Sequence, residues 1–195
     1  LLTFGLSQNY SLSFDGIDDE IILSSSFFNG GTTNDFTIEC WAKFDTYTTQ
    51  SVVSAPEDLW PVAGTGKPGF YFAKGWWSYK SQLGIWIGDG TNTQSVWYAM
   101  PSNPTGDWIP FAVVRDSTAG TMSVYYTEEG ETSGTRVAQT TGISSPMSMT
   151  WPTDWVVGKW FDGTYYWMNG ELDELIVTKA AKYTGTTYDV PALGE

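Results

Sequence analysis

Apolar and polar residues alternate with period two in many short stretches of this chain. No window carries the 3.6-residue period of a long helix. Tyr10, Leu12 and Phe14 stand against Ser11 and Ser13, the pattern of a strand with one buried face. Phe36, Ile38, Cys40, Ala42 and Phe44 make one face of a longer strand, with Thr37, Glu39, Trp41 and Lys43 on the other. Shorter strand patterns follow at Glu20 to Leu23, Phe70 to Ala73, Leu83 to Ile87 and Ser95 to Met100. Phe111 to Arg115 and Met122 to Tyr126 read as a hairpin around Asp116-Ser117-Thr118-Ala119-Gly120. Val156-Val157 and Leu172 to Thr178 are the last clear strands.

Between these stretches the pattern lapses. Phe27 to Asp35 is a Gly/Thr/Asn loop, and residues 45–69 read as a long irregular connection marked by Pro56, Pro61 and Pro68. Gly130 to Met149 is polar and turn-rich. Roughly ten or more short strands without helices predict two packed antiparallel sheets, an all-β sandwich. Phe36, Ile38, Phe111, Val113, Val124 and Leu175 are its expected core. No repeat, low-complexity run or linker divides the chain, so residues 1–195 read as a single domain.

Composition narrows the chemistry. The net charge is −13, and the nine Lys and Arg residues form no cluster. A nucleic-acid partner requires a basic footprint, so none is expected. Anionic membrane surfaces and polymers are repelled at long range, which leaves neutral glycans, divalent cations or protein partners. Acidity that serves only solubility is the plainer alternative. There is no histidine, which removes Ser-His-Asp and Cys-His catalysis and His-bound zinc. The single cysteine, Cys40, sits in the apolar alternation and reads as a small core residue. The opening Leu1-Leu2-Thr3-Phe4-Gly5-Leu6 is too short to span a bilayer, and no membrane insertion is expected. A chain that opens on Leu1 rather than Met fits a processed or excised piece of something longer.

Several segments in order resemble the laminin G-like and pentraxin-like members of the concanavalin A-like lectin/glucanase superfamily. They are Ser11 to Asp19, Asp35 to Lys43, Trp108 to Asp116 with Met122 to Tyr126, and Gly170 to Val177. The resemblance implies a two-sheet jelly-roll sandwich. It weakens between residues 45 and 105 and at Thr127-Glu128-Glu129-Gly130, where such domains often carry Asn-Gly, so no ligand comes with it. The tail from Val177 to Gly185 resembles endings of such domains in bacteriophage structural and tail-fibre proteins. That likeness points to an extracellular or virion-surface setting.

Three constellations bear on function. Asp15, Asp18 and Asp19 lie within one turn and Asp173 is a distant fourth candidate, a set of hard oxygen donors suited to calcium. Asp173 shares parity with Leu175 and Val177, which points its carboxylate into the sandwich. The alternative for the turn is an Asx motif that bonds its own backbone. The second constellation is aromatic. The chain has 11 Trp and 11 Tyr, and Trp60, Trp76, Trp77, Trp86 and Trp97 fall in its variable middle. Sugar C–H faces stack on such rings, and Trp86 is opposite in parity to Leu83, Ile85 and Ile87. The alternative is that these rings cover the sheets under long loops. Trp41, Trp108 and Trp155 lie in core-like segments.

The third constellation is hydrolytic. Glucanases of the resembled superfamily place alternate carboxylates on one strand. Glu171-Leu172-Asp173-Glu174 starts that way, but Leu175 and Ile176 follow where another acid is needed. The expectation is a non-catalytic lectin-like or adhesive domain that contacts glycan or a neighbouring protein subunit. Two others stand beside it: a carbohydrate-binding module of a secreted polysaccharide-degrading enzyme, and a structural decoration domain without ligand.

Overall fold

A computed structural model describes residues 2–4, 10–24, 35–55, 68–76, 78–89, 91–142, 154–160 and 166–192. The strands are β1 (Leu2–Phe4), β2 (Leu12–Asp15), β3 (Ile21–Leu23), β4 (Phe36–Phe44), β5 (Gln50–Ala55), β6 (Pro68–Trp76) and β7 (Tyr79–Asp89). They continue with β8 (Thr93–Ala99), β9 (Trp108–Asp116), β10 (Thr121–Tyr126), β11 (Ser133–Thr141), β12 (Trp155–Val157), β13 (Asn169–Thr178) and β14 (Thr187–Asp189). They form two antiparallel sheets. The eight-stranded sheet runs β1-β13-β4-β9-β10-β11-β14, with β2 also on β13, and the six-stranded sheet runs β3-β12-β5-β6-β7-β8. This is the concanavalin A-like jelly-roll sandwich.

The period-two faces meet between the sheets. Phe36, Ile38, Phe111, Val113, Val124 and Leu175 all lie in one buried core. Phe72 of β6 packs on Phe111 of β9 across it, ring centroids 4.9 Å apart. Cys40 is a buried free thiol in the same cluster.

Alternation suggested that one face of β4 meets solvent, but both faces are closed. Thr37, Glu39 and Trp41 are buried as fully as their neighbours. The reason is a third layer that the chain lays over the outer side of the eight-stranded sheet after β13. Ala180 accepts from the Thr37 hydroxyl, Lys182 and Tyr183 both reach the Glu39 carboxylate, and Trp41 Nε1 donates to the Pro191 carbonyl. Tyr183 and Tyr188 pack there on Tyr125, Ala112 and Val114.

Two stretches read as irregular are strands. β5 lies inside the expected connection of residues 45–69, and β11 lies inside the polar stretch from Gly130 to Met149. β5 lacks alternation because its pairing with β6 slips between Ser51 and Val53, and Val52 and Val53 both enter the core. β11 is polar because it lies near the sheet margin, half-buried to exposed except at Gly134, paired to β10 on one side and over three residues to β14 on the other. The remainder of that expected connection from 56 to 67, and the loop at 25–34, lie outside the described residues.

Candidate functional site

The outer face of the six-stranded sheet carries an aromatic patch. β6 alternates Phe70, Phe72 inward with Tyr71, Ala73 outward. Cross-strand register then assembles an outer row of Val156, Ser54, Tyr71, Trp86 and Ser95 over five strands. The next outer row is Ser51, Ala73, Gly84 and Trp97. Directly opposed residues on one face stand about 5 Å apart, so rings in these rows are neighbours.

Tyr71 is the hub. Trp160 meets it edge-on at 4.4 Å, and Trp97 and Tyr166 stand at 6.3 and 6.4 Å. Tyr71 and Trp160 are buried, whereas Trp86, Trp97 and Tyr166 each keep part of their surface open. Burial pushes the Tyr71 phenol well above its ordinary value, so it stays protonated. Gly84 permits the close packing at Trp97: a Cβ there would lie 2.1 Å from the Val96 carbonyl and 2.9 Å from the Trp97 ring. Tyr166 sits at φ 61°, a left-handed conformation that costs roughly 1–2 kcal/mol for a residue with a Cβ. Its carbonyl accepts from Ser51 N at 2.9 Å, and this ties the loop to the sheet.

Of the rings singled out from sequence, Trp86 does leave the core, and Trp97 joins the Tyr71 patch. Trp76 ends β6, its backbone paired with Tyr79. Trp60 and Trp77 lie outside the described residues. Tyr71, Trp160 and Tyr166 were missed. The parity of Tyr71 against Phe70 and Phe72 was a usable signal, whereas Trp160 and Tyr166 arrive from a loop and had none. Trp155 belongs to the core, Trp41 is buried on the opposite side of its sheet, and Trp108 is half-buried.

The acidic turn brings Asp15, Asp18 and Asp19 together, with one oxygen of each within 4.8 Å of the others. All three are exposed. Asp15 accepts from Ile17 N at 2.8 Å and Asp19 from Asp15 N at 2.9 Å, so the turn also bonds its own backbone. Three carboxylates with oxygens to spare fit a calcium ion whose remaining positions water fills.

Asp173 is not part of this group. Asn169 pairs with Asp15, and Asp173 lies four residues further along β13, about 13 Å away. Its expected orientation is also wrong. Glu174, at φ 47°, makes a bulge at which Glu174 and Leu175 together oppose Cys40. The bulge reverses parity: Leu172, Leu175 and Val177 face the core, and Asp173 pairs with Trp41 on the outer side. Its carboxylate accepts from Glu174 N at 2.8 Å, and burial raises its pKa. Glu171 accepts from Lys43 Nζ at 2.9 Å and from the Ser11 hydroxyl, and these bonds lower its pKa.

A family model of the concanavalin A-like lectin/glucanases superfamily, of laminin G type, matches residues 15–182. The chain belongs to that superfamily. No curated protein matches it. Among solved structures, the NanB sialidase from Streptococcus pneumoniae superposes with a TM-score of 0.65 at 15% identity, over 93% of this chain and 26% of the sialidase. A heptameric SAP-like pentraxin from Limulus polyphemus gives 0.57 at 14%, over 88% of this chain and 76% of the pentraxin. The enzymatically active domain of tailspike protein 2 from bacteriophage CBA120 gives 0.61 at 10%, over 93% of this chain and 27% of the tailspike. The chain spans about a quarter of the sialidase and of the tailspike. At these identities the likeness is one of fold. No helix among the described residues is long and apolar enough to cross a membrane.

Proposed function

We propose that this chain is a non-catalytic, lectin-like domain of an extracellular or virion-surface assembly. It contacts glycan, or a neighbouring protein subunit, through the outer face of its six-stranded sheet. The observation that carries this reading is the cluster of Tyr71, Trp97, Trp160 and Tyr166, with Trp86 paired to Tyr71 beside it, which combines buried anchoring rings with partly open ones. A neutral sugar face stacks on an open indole without needing a cation, which suits a surface of net charge −13. Trp76, Trp77 and Trp60 extend the candidate set along the same variable middle of the chain.

The non-catalytic part of the proposal is supported by Glu171 on β13. A glycosidase acid must hold a proton that it can give up. Lys43 and Ser11 instead favour the ionised form of Glu171. A second reading has its own support. The matched region is only 26% of the sialidase, as expected if such a fold serves as one module of a larger enzyme, here a carbohydrate-binding one. For calcium we propose Asp15, Asp18 and Asp19 as the ligands, without Asp173. Both readings of the aromatic face are tested by a glycan array followed by Trp86→Ala and Trp97→Ala. Loss of roughly 1–3 kcal/mol of affinity per ring, by analogy with base stacking, supports the face. Unchanged affinity in both variants sinks it.

A further inference from the structure

A cleft lies beside the start of β9 and the end of β10, apart from the aromatic sheet face. Its volume is about 310 Å³, and Ser102, Pro104, Asp107, Trp108, Ile109, Tyr126, Glu128 and Glu129 line it. That is the small end of the range for ligand sites, room for one ring and its substituents rather than for a folded partner. Its walls are of two kinds. The exposed lining is mainly polar, with the acids Asp107, Glu128 and Glu129 at the surface; Trp108 and Tyr126 are half-buried, and Pro104 and Ile109 are buried beneath them.

The acids are uncompensated. None of the three takes part in an ion pair or a side-chain hydrogen bond among the described residues. Lys43 stands opposite Trp108 in the sheet, but its ammonium is committed to Glu171. Burial raises the Tyr126 phenol, and the charges of Glu128 and Asp107 beside the ring add to that rise. Tyr126 is in turn held by Tyr98 of the other sheet, ring centroids 5.4 Å apart. The carboxylates do not converge as a metal site requires: among the described residues only the Asp15 trio brings three such oxygens within 4.8 Å. Separated negative charges around an aromatic wall suit an organic cation, which gains from both the carboxylates and the ring faces.

We propose that this cleft binds a protonated amino sugar, its ammonium held by Glu128, Glu129 and Asp107 and its ring face laid on Trp108 and Tyr126. The choice of a sugar as carrier of the amine rests on the carbohydrate-binding reading above. The site itself is separate from the Trp86 and Trp97 face.

The test is calorimetric titration of the whole chain with a fully de-N-acetylated glucosamine tetramer, its N-acetylated counterpart and cadaverine. The de-N-acetylated tetramer should bind at least about tenfold more tightly than either of the others. Its affinity should fall steeply in about 0.5 M salt. It should fall at least about tenfold in Glu128→Gln/Glu129→Gln, but not in Asp45→Asn/Asp189→Asn, which removes the same charge elsewhere. Equal binding of the N-acetylated tetramer would overturn ammonium recognition. Equal binding of cadaverine, or equal loss in the two double variants, would reduce the effect to bulk attraction and overturn the site. Binding of the de-N-acetylated tetramer that needs Trp86 and Trp97 but not Glu128 and Glu129 would overturn this cleft while leaving the sheet-face reading intact.

Discussion

The outer faces of the two sheets are both aromatic, and the chain treats them differently. On the eight-stranded sheet it roofs the rings itself. Tyr125 donates to the carbonyls of Tyr183 and Gly185, and Tyr183 donates to Glu39 and to the Asp189 carbonyl. On the six-stranded sheet the packing stops part-way among the described residues: Tyr71 and Trp160 are covered, but Trp86, Trp97 and Tyr166 only partly so. A ring whose faces and hydroxyl are all engaged within the chain contributes to stability. A ring fixed on one side and open on the other is preorganised for an outside partner, because little ordering entropy remains to be lost on binding.

The largest expected effect is in the roof. Tyr183→Ala removes a packed ring and one of the two groups on a fully buried carboxylate, Glu39. It should cost about 3–5 kcal/mol in urea unfolding. A loss under about 1 kcal/mol would mean the third layer is dispensable. At the open face, Trp97→Ala should cost less stability, about 1–2 kcal/mol, since its ring is only partly covered.

How far this contrast was legible from sequence depends on the local pattern. Strands with one clean apolar face were readable: β4, the β9–β10 hairpin and the six named core residues follow from parity alone. β5 was not, because the slip at Ser51 puts two successive valines inward and its serines under other chain. Asp173 was assigned to the wrong side because one residue at positive φ, Glu174, reverses every parity upstream of it. The roof was invisible because it is irregular chain, and nothing local marks Glu39 as its anchor. The open face was half legible: Trp86 declared itself by parity, while Trp160 and Tyr166 depend on where a loop lands.

A third prediction concerns pH. Lys74 is fully buried on the core side of β6, where its ammonium donates to the Thr46 and Thr48 carbonyls at 3.2 Å. Burial, with nearby Lys80, lowers its pKa from 10.5 to about 8. The unfolded chain therefore binds more protons than the folded one between those values, so stability should rise as pH increases above about 8. Tyr183 and Tyr188 act oppositely. Burial raises both phenols far above 10.0, so their contribution is full below pH 10 and lost above it. Burial also raises the Cys40 thiol above 9.0 and the Tyr71 phenol above 10.0, which adds to the opposing slope, so stability should turn over at about pH 9, and Lys74→Met should abolish the rise below it. A profile in Lys74→Met that runs parallel to that of the unaltered protein from about pH 7 to 9 would contradict the buried ammonium.

The smallest expected effect is at the acidic turn. Calcium at a concentration equal to its Kd should add about 0.4 kcal/mol, and more at higher excess. Asp18→Asn/Asp19→Asn should remove the gain in melting temperature, and Asp173→Asn should leave it. A gain that disappears with Asp173→Asn alone would move the site to β13.

The contrast between the two faces is tested most directly by measuring affinity and stability together in Trp86→Ala/Trp97→Ala, with the best ligand from a glycan array. Binding should fall by at least about tenfold while unfolding stays cooperative, with a smaller loss of stability than Tyr183→Ala produces. Full affinity in that variant, or a loss of binding in Tyr183→Ala under conditions where that protein remains folded, would contradict the assignment of the open face to binding and the roofed face to stability.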